Sequence, residues 1–348
     1  MAQEQLTAVD LFCGCGAVTL GLKKRGFKII AAVDNDLVAC KTYNQNHPEV
    51  NLYAEDITGI MPESIGKHLK KEELDLLVVC APCQPFSNLN RKKNPDDRNS
   101  LILQSVRFAR HLKPKVILFE NVPGLASKKH SNVKDTLLEQ LKEIGYKTDK
   151  PAQLDAADYG VPQRRKRWIL LAVRGENIPA VPKVVSPEGK RVSVKQAIGM
   201  LNPLKSGQKD SYDPLHYARS HKKINLERLK YIPKDGGSRF SLPERLVLKC
   251  HKNFKGHPDV YGRMSWDDIA PTLTTGCTDI TKGRFVHPEN DRAITLREAA
   301  LLQTFPIDYS FCGNSSSIAN QIGNAVPVRL VEELAAMMED YILNEWKK

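Results

Sequence analysis

The sequence predicts an α/β fold, a doubly wound sheet with a smaller, loop-rich domain inserted, and three observations predict it. Short apolar segments alternate with helix-like segments from Thr7 through Val173, as they do when helices cross over a sheet. Two apolar segments run straight into loops rich in Gly, Pro and Cys, and ligands bind at the C-terminal edge of such a sheet. From about Pro179 the alternation gives way to prolines, glycines and short polar segments.

The first strand is expected over residues 7–12, followed by Cys13-Gly14-Cys15-Gly16 and a helix over 18–24. Strand, glycine turn and helix form the layout of a nucleotide-type cofactor site, because glycines admit close backbone approach and a helix N-terminus offers free N–H groups. Gly14 and Gly16 fit the G-x-G-x-x-G pattern, whereas position 19 is Thr. A second strand over Lys28–Val33 ends at Asp34-Asn35-Asp36. An acidic residue about 20 positions after the glycines can hold ribose hydroxyls. The same trio can cap a helix over Leu37–Asn46, and both roles can fall on different members of it. A short third strand at Asn51–Tyr53 leads to Asp56-Ile57.

Residues 74–80 form a nearly unbroken Val- and Leu-rich run, which reads as a fully buried parallel strand. Pro82 and Pro85 stop any ladder or helix, so Cys83 is held in a stiff loop just past the strand. A cysteine there can be a nucleophile. With a free-thiol pKa near 8.5 only about 3% is thiolate at pH 7, so the site must supply positive charge or a helix N-terminus. Three other readings compete: a redox pair with Cys80 in a C-x-x-C, a zinc site with Cys13 and Cys15, or an inert buried thiol. Cys80 lies inside the apolar run and is expected in the core, away from Cys83.

A basic loop over 88–98 precedes a helix over 100–112. A strand over 115–119 ends in Glu120-Asn121-Val122-Pro123-Gly124, on the same sheet edge as Cys83. A helix over 133–144 stops at Gly145. Gln163-Arg164-Arg165-Lys166-Arg167 feeds a strand over 168–173, and the alternation of Arg165 and Arg167 points both to one face. Residues 181–290 hold 20 Lys and Arg against 11 Asp and Glu, interleaved with aromatics such as Tyr212, Tyr231 and Phe240, so the insertion carries most of the chain's net +12. Thr295 and Glu298 make a capping box, and residues 328–346 form an amphipathic helix whose simplest use is to cover the sheet.

Composition sets the outer bounds. At 348 residues the chain has room for two domains, and its 41% hydrophobic and 26% charged content is that of a globular protein. No apolar run approaches the roughly 20 residues of a membrane span, and Met-Ala-Gln-Glu-Gln lacks the blocks of a signal peptide. Eight cysteines without framework spacing suit a reducing cytosol. The basic balance points to a polyanionic partner, nucleic acid first.

These residues together resemble the DNA (cytosine-5)-methyltransferase family of bacterial restriction-modification systems, over nearly the whole chain. The segment from Asp10 to Gly16 looks like its cofactor loop, Ala81-Pro82-Cys83-Gln84-Pro85-Phe86-Ser87 its nucleophile loop, Glu120-Asn121-Val122 its glutamate motif and Gln163 to Arg167 its arginine motif. Residues 296–306 and 321–327 look like its two late motifs. Six such motifs in order, with a basic domain between the fourth and fifth, are highly specific.

The resemblance implies a Rossmann-like S-adenosylmethionine-dependent methyltransferase sheet in 1–180 plus 318–348, and a target-recognition domain in 181–317. It implies Cys83 as nucleophile, Glu120 on the cytosine N3 edge, and Arg165 and Arg167 near Cys83 and a flipped-out base. The cofactor pocket would be lined by Phe12, Gly14, Gly16, Pro82, Ile57, Leu101, Asn324, Ala325 and Val326. Asp34 would take the ribose and Asp56 the adenine amine, with Asn35 where some members stack a larger side chain. Ala17 replaces a common glycine. Gln84, Ser87, Arg239, Arg245, Arg263, Thr272 and Thr274 would contact double-stranded DNA. The product would be S-adenosyl-L-homocysteine, with no metal and no membrane. The enzyme would be a cytoplasmic, nucleoid-associated monomer, with a cognate restriction endonuclease as its natural counterpart. An RNA cytosine methyltransferase on the same fold, a catalytically dead DNA-binding regulator and a nicotinamide dehydrogenase are the rival functions. The presence of Cys83, Glu120 and both arginines argues against the second, and no hydride-handling set supports the third.

Overall fold

A computed structural model describes residues 5–70, 73–82, 101–127, 131–183, 191–252 and 259–346. The chain divides into two compact units: residues 1–159, 166–185 and 328–348, and residues 160–165 with 186–327.

Unit 1 is built on one mixed sheet of β1 (Thr7–Leu11), β2 (Lys28–Val33), β3 (Asn51–Tyr53), β4 (Leu76–Val79), β5 (Val116–Asn121), β6 (Lys147–Thr148), β7 (Ala152–Asp155) and β8 (Lys166–Val173). Its order is β3-β2-β1-β4-β5-β8-β6, with β7 also paired to β8. β1 to β5 run parallel, and β8 is antiparallel to β5. Every residue of β1, β4 and β5 is buried, as strands covered on both faces must be. β5 extends two residues further than its apolar run implies, because Glu120 and Asn121 still pair with Ile169 and Trp168. β6 and β7 are too short and too polar to have shown in the pattern.

Helices α1 (Ala17–Lys24), α2 (Leu37–Asn46), α3 (Pro62–Gly66), α4 (Leu101–Leu112) and α5 (Ser131–Glu143) connect the strands. The last helix of the chain, α10 (Val328–Asp340), buries Leu330, Val331, Leu334, Ala335 and Met338. It lies close on α1: a Cβ at Gly21 would stand 2.7 Å from the Val331 Cβ. The C-terminal helix therefore covers the N-terminal part of the sheet, as its amphipathic spacing implies.

Unit 2 contains no named strand among its described residues. It holds α6 (Val194–Ile198), α7 (Lys223–Tyr231), α8 (Leu296–Leu302) and α9 (Ser315–Asn324), joined by long irregular segments. α8 starts with the capping box expected at Thr295 and Glu298. One apolar cluster of Leu229, Ile232, Tyr261, Ile280, Val286 and Ala293 is small, and buried arginines tie the loops around it. Arg263 donates to the carbonyls of Leu229, Ile232, His287 and Asn290 and pairs with Asp291. Arg292 makes a two-pronged pair with Glu298 at 2.7 and 2.8 Å. Residues 318–327, which the resemblance groups with the catalytic part, cluster with unit 2, and so do residues 160–165.

Candidate active site

β1 and β4 are neighbours in the sheet, but the chain leaves them towards opposite edges, to β2 and to β5. This is the switch point where open α/β sheets form a ligand crevice. The glycine loop and the loop carrying Pro82 start side by side there: Leu11 pairs with Val79, and Cys80 N–H donates to the Leu11 carbonyl at 3.3 Å.

The glycine loop is shaped by backbone angles. Gly14 and Gly16 have φ of 52° and 96°, and Phe12 holds 63° despite its side chain. An added Cβ at Gly14 would meet nothing within 4 Å, so the left-handed conformation, and not space, calls for glycine there. Phe12 in that region costs roughly 1–3 kcal/mol, strain of a kind that gathers at functional sites. Gly16 is the N-cap of α1 and supplies no side-chain cap. Asp34 braces the loop from β2: its two oxygens accept from Gly14 N–H and Asp36 N–H, each at 2.8 Å. Burial raises its pKa. Asp36, not Asp34, caps α2, accepting from Val38 and Ala39 N–H. Asn35 Nδ2 donates to Asp56 Oδ2 at 3.3 Å. Asp56 also accepts from the Thr58 hydroxyl and N–H, which lowers its pKa. Ile57 is buried, while Phe12, Pro82 and Leu101 are half-buried.

Asp10, which sequence reasoning quoted without a role, is fully buried on β1. Its Oδ2 accepts from the Thr19 hydroxyl at 2.9 Å, and its Oδ1 has no hydrogen-bond partner among the described residues. Burial pushes its pKa up to about 7, and the nearby Asp34 charge adds to the rise. The signal was available: a carboxylate inside an apolar strand is expensive unless something compensates it.

Glu120 and Arg167 meet on one face of the sheet. Glu120 pairs with Ile169 across the ladder, and Arg167 lies two residues away on the same strand, hence on the same side. Arg167 Nε stands 2.6 Å from Glu120 Oε1, and both side chains are largely buried. Asn121 ties this end of β5 to the neighbouring loop, donating to the Ala81 carbonyl at 3.1 Å. Cys80 is partly exposed as a residue, but its thiol is buried, and that burial, with the Glu120 charge beside it, raises the thiol pKa.

Arg165 lies just before β8 and clusters with unit 2, where it donates to the carbonyls of Leu273, Gly323 and Ala325, each at 2.9 Å. Arg263 is corrected as a DNA-reading residue: it is wholly buried, and its guanidinium is used on loop carbonyls and Asp291. Arg239 is corrected on similar grounds, being 4% exposed and stacked with Phe240. Arg245 is exposed, joined to Glu227 and to the Tyr231 hydroxyl. Thr272 is exposed and donates to the Arg164 carbonyl, and the Thr274 hydroxyl accepts from Gly276 N–H. Asn324 closes α9, followed by half-buried Ala325 and buried Val326. Cys83, Gln84 and Ser87 lie outside the described residues. Among the described residues no cluster of three or more His, Cys, Asp or Glu could hold a metal ion, and no helix is long and apolar enough to cross a membrane.

A mixed sheet, parallel over β1 to β5, with a glycine loop at its switch point is the architecture of α/β proteins that bind ligands at that edge. The chain belongs to the C-5 cytosine-specific DNA methylase family, whose family model matches residues 6–340, and is thus a DNA (cytosine-5-)-methyltransferase. It is 37% identical over 341 residues to the Type II methylase M.HgiDII of Herpetosiphon aurantiacus, covering 96% of this chain and 95% of that one. It is 34% identical to the Type II methyltransferase M.Eco47II of Escherichia coli, covering 93% and 76%. Among solved structures, the Dnmt2 methyltransferase of S. pombe superposes with a TM-score of 0.64 at 20% identity, covering 98% of this chain and 100% of that one. That likeness is one of fold.

Proposed function

We propose that the chain transfers a methyl group from S-adenosylmethionine to C5 of a flipped-out cytosine in a short duplex DNA sequence, through a covalent bond between Cys83 and cytosine C6. The observation that carries this reading is the Glu120–Arg167 pair, set beside the strand that leads into the Pro82-Cys83 loop. The residues at the switch point fit the cofactor. The left-handed glycine loop leaves its backbone open, and the first turn of α1 offers N–H groups with no side-chain cap to a carboxylate. Asp34 and Asp56 would take the ribose and the adenine, with Phe12, Ile57, Pro82 and Leu101 supplying apolar contact. Asn324, Ala325 and Val326 keep the cofactor role that the family likeness suggests. When bound, S-adenosylmethionine supplies the methyl group on a positively charged sulfur.

The protein's own residues address the weak nucleophilicity of cytosine C5. A Cys83 thiolate adding at C6 turns C5 into an enamine carbon. Glu120, protonated or sharing a proton with N3, neutralises the charge that builds on the ring, and Arg167 holds Glu120 in place. Once C5 carries the methyl group, its proton leaves to water and the Cys83–C6 bond breaks with its electron pair returning to sulfur, which frees the thiolate. Flipping the base costs a few kcal/mol, which phosphate contacts from unit 2 can offset. In this reading the enzyme works as a cytoplasmic, nucleoid-associated monomer, alongside a restriction endonuclease that cuts the same site.

The test uses DNA carrying 5-fluorocytosine, whose fluorine cannot leave as a cation. The enzyme should stop as a covalent adduct that peptide mapping places on Cys83, and Cys83→Ser should lose transfer by orders of magnitude. An adduct mapped elsewhere, or equal methyl transfer to tRNA, would overturn the reading.

A further inference from the structure

The arginine motif does more in unit 2 than send one guanidinium there. Gln163 is fully buried and has its side-chain amide satisfied on both ends. Its Nε2 donates to the Leu302 carbonyl at 3.3 Å and to Gln303 Oε1 at 3.1 Å. Its Oε1 accepts from Leu273 N–H at 2.9 Å and from Arg165 Nη1 at 3.4 Å. Gln303, also fully buried, donates in turn to the carbonyls of Ile322 at 2.6 Å and Ala325 at 3.3 Å. Arg165 closes the ring on Leu273, Gly323 and Ala325. Backbone meets backbone at the same place: a Cβ at Gly323 would stand 2.5 Å from the carbonyl carbon of Thr274.

We infer that Gln163 and Gln303 are positioning residues that lock the Thr272–Thr274 segment and the Asn324–Val326 segment into one register, so that DNA contact and cofactor contact are coupled. This rests on the proposed function, which gives DNA to the first segment and S-adenosylmethionine to the second. Two side-chain amides suit the task. A buried amide with all its bonds made tolerates one geometry, because any shift of either segment strands a donor or acceptor. An apolar contact would let the segments slide at little cost. The Thr272–Thr274 segment has no ladder of its own, and the Asn324–Val326 segment runs off the end of α9, so this polar cluster sets their relation.

The test measures S-adenosylhomocysteine affinity by calorimetry on the full chain, with and without saturating sheared, unmethylated duplex DNA. In the native protein DNA should tighten binding at least fivefold, the low end of ordinary allosteric coupling. In Gln303→Met that factor should fall below twofold, while each ligand alone binds within about threefold of its native affinity. The double variant Gln163→Leu with Gln303→Leu leaves neither amide facing an apolar partner. If it regains thermal stability and still lacks coupling, positioning is separated from mere structural support. Native-level coupling in either folded variant, or no coupling in the native protein, would overturn the inference. Failure of the native protein to bind S-adenosylhomocysteine at all would instead sink the proposed function beneath it.

Discussion

The two units solve the problem of burying backbone polar groups in opposite ways. In unit 1, strands satisfy one another, and the interior between them is filled by Val, Leu, Ile and Phe: Leu76, Leu77, Val79, Val116, Ile117 and Phe119 are completely buried. In unit 2 the described chain forms no ladder of named strands; isolated backbone pairs such as Met264 N–H to the Val286 carbonyl are joined by side chains that reach loop carbonyls, among them the guanidiniums of Arg165, Arg263, Arg284 and Arg292. Such a scaffold leaves loop tips free to vary, which would suit the DNA-contacting role proposed for unit 2. It also means that a basic composition is a poor count of DNA contacts, since several of the cations face inward.

The largest expected effect separates the units by substitution type. Arg263→Met removes five donors, taking a bond from four loop carbonyls and from Asp291, which keeps Lys234; the lost buried hydrogen bonds should destabilise unit 2 by about 2–5 kcal/mol. Leu77→Ala should cost unit 1 a comparable 2–5 kcal/mol through a cavity alone. Urea unfolding of the full chain, followed by hydrogen exchange in each unit, assigns the losses. If Arg263→Met left unit 2 as stable as before, the account of its scaffold would be wrong.

Acid should expose the next difference. Burial pushes His287 down to about 4, reinforced by Arg292 and Arg263 and opposed by Glu298. Between an unfolded value near 6.5 and that folded value, only the unfolded chain takes up the proton. Stability from His287 is therefore full above about pH 6.5 and is lost as pH falls towards 4. Unit 1 has His47 acting in the same direction, also held near 4, but Asp10 acts against it. With its folded pKa raised to about 7, Asp10 contributes stability that is present below its unfolded value and lost as pH rises towards 7. Hydrogen-exchange protection factors, corrected for the intrinsic rate at each pH, should thus fall more in unit 2 than in unit 1 on going from pH 7.5 to pH 5, and His287→Gln should shrink the gap. An equal loss of protection in both units would contradict this assignment.

The smallest expected change in stability comes from Arg245, one of the cations that face outward. Arg245→Ala should leave the urea midpoint of unfolding unchanged, as surface substitutions usually do. If Arg245 meets a phosphate, the slope of DNA affinity against salt should fall by about one. An unchanged slope would remove it from the DNA-contact set.

Local chemistry made much of unit 1, and one helix start of unit 2, legible. The apolar runs of β1, β2, β4 and β5, the positive-φ glycines at 14 and 16, the cap at Asp36 and the box at Thr295 each follow from a few neighbouring residues. Sequence could name Glu120 and Arg167, but their meeting required the antiparallel register of β5 and β8, which pairs residues about 50 positions apart. The inward turn of Arg165, the burial of Arg263 and the Gln163–Gln303 clamp were illegible for the same reason. An arginine's alternatives are water, phosphate or a carbonyl, and its sequence neighbourhood looks the same for all three. Only the tertiary structure decides which acceptors come within about 3 Å of it, and in a scaffold of loops those acceptors come from segments up to about 160 residues away.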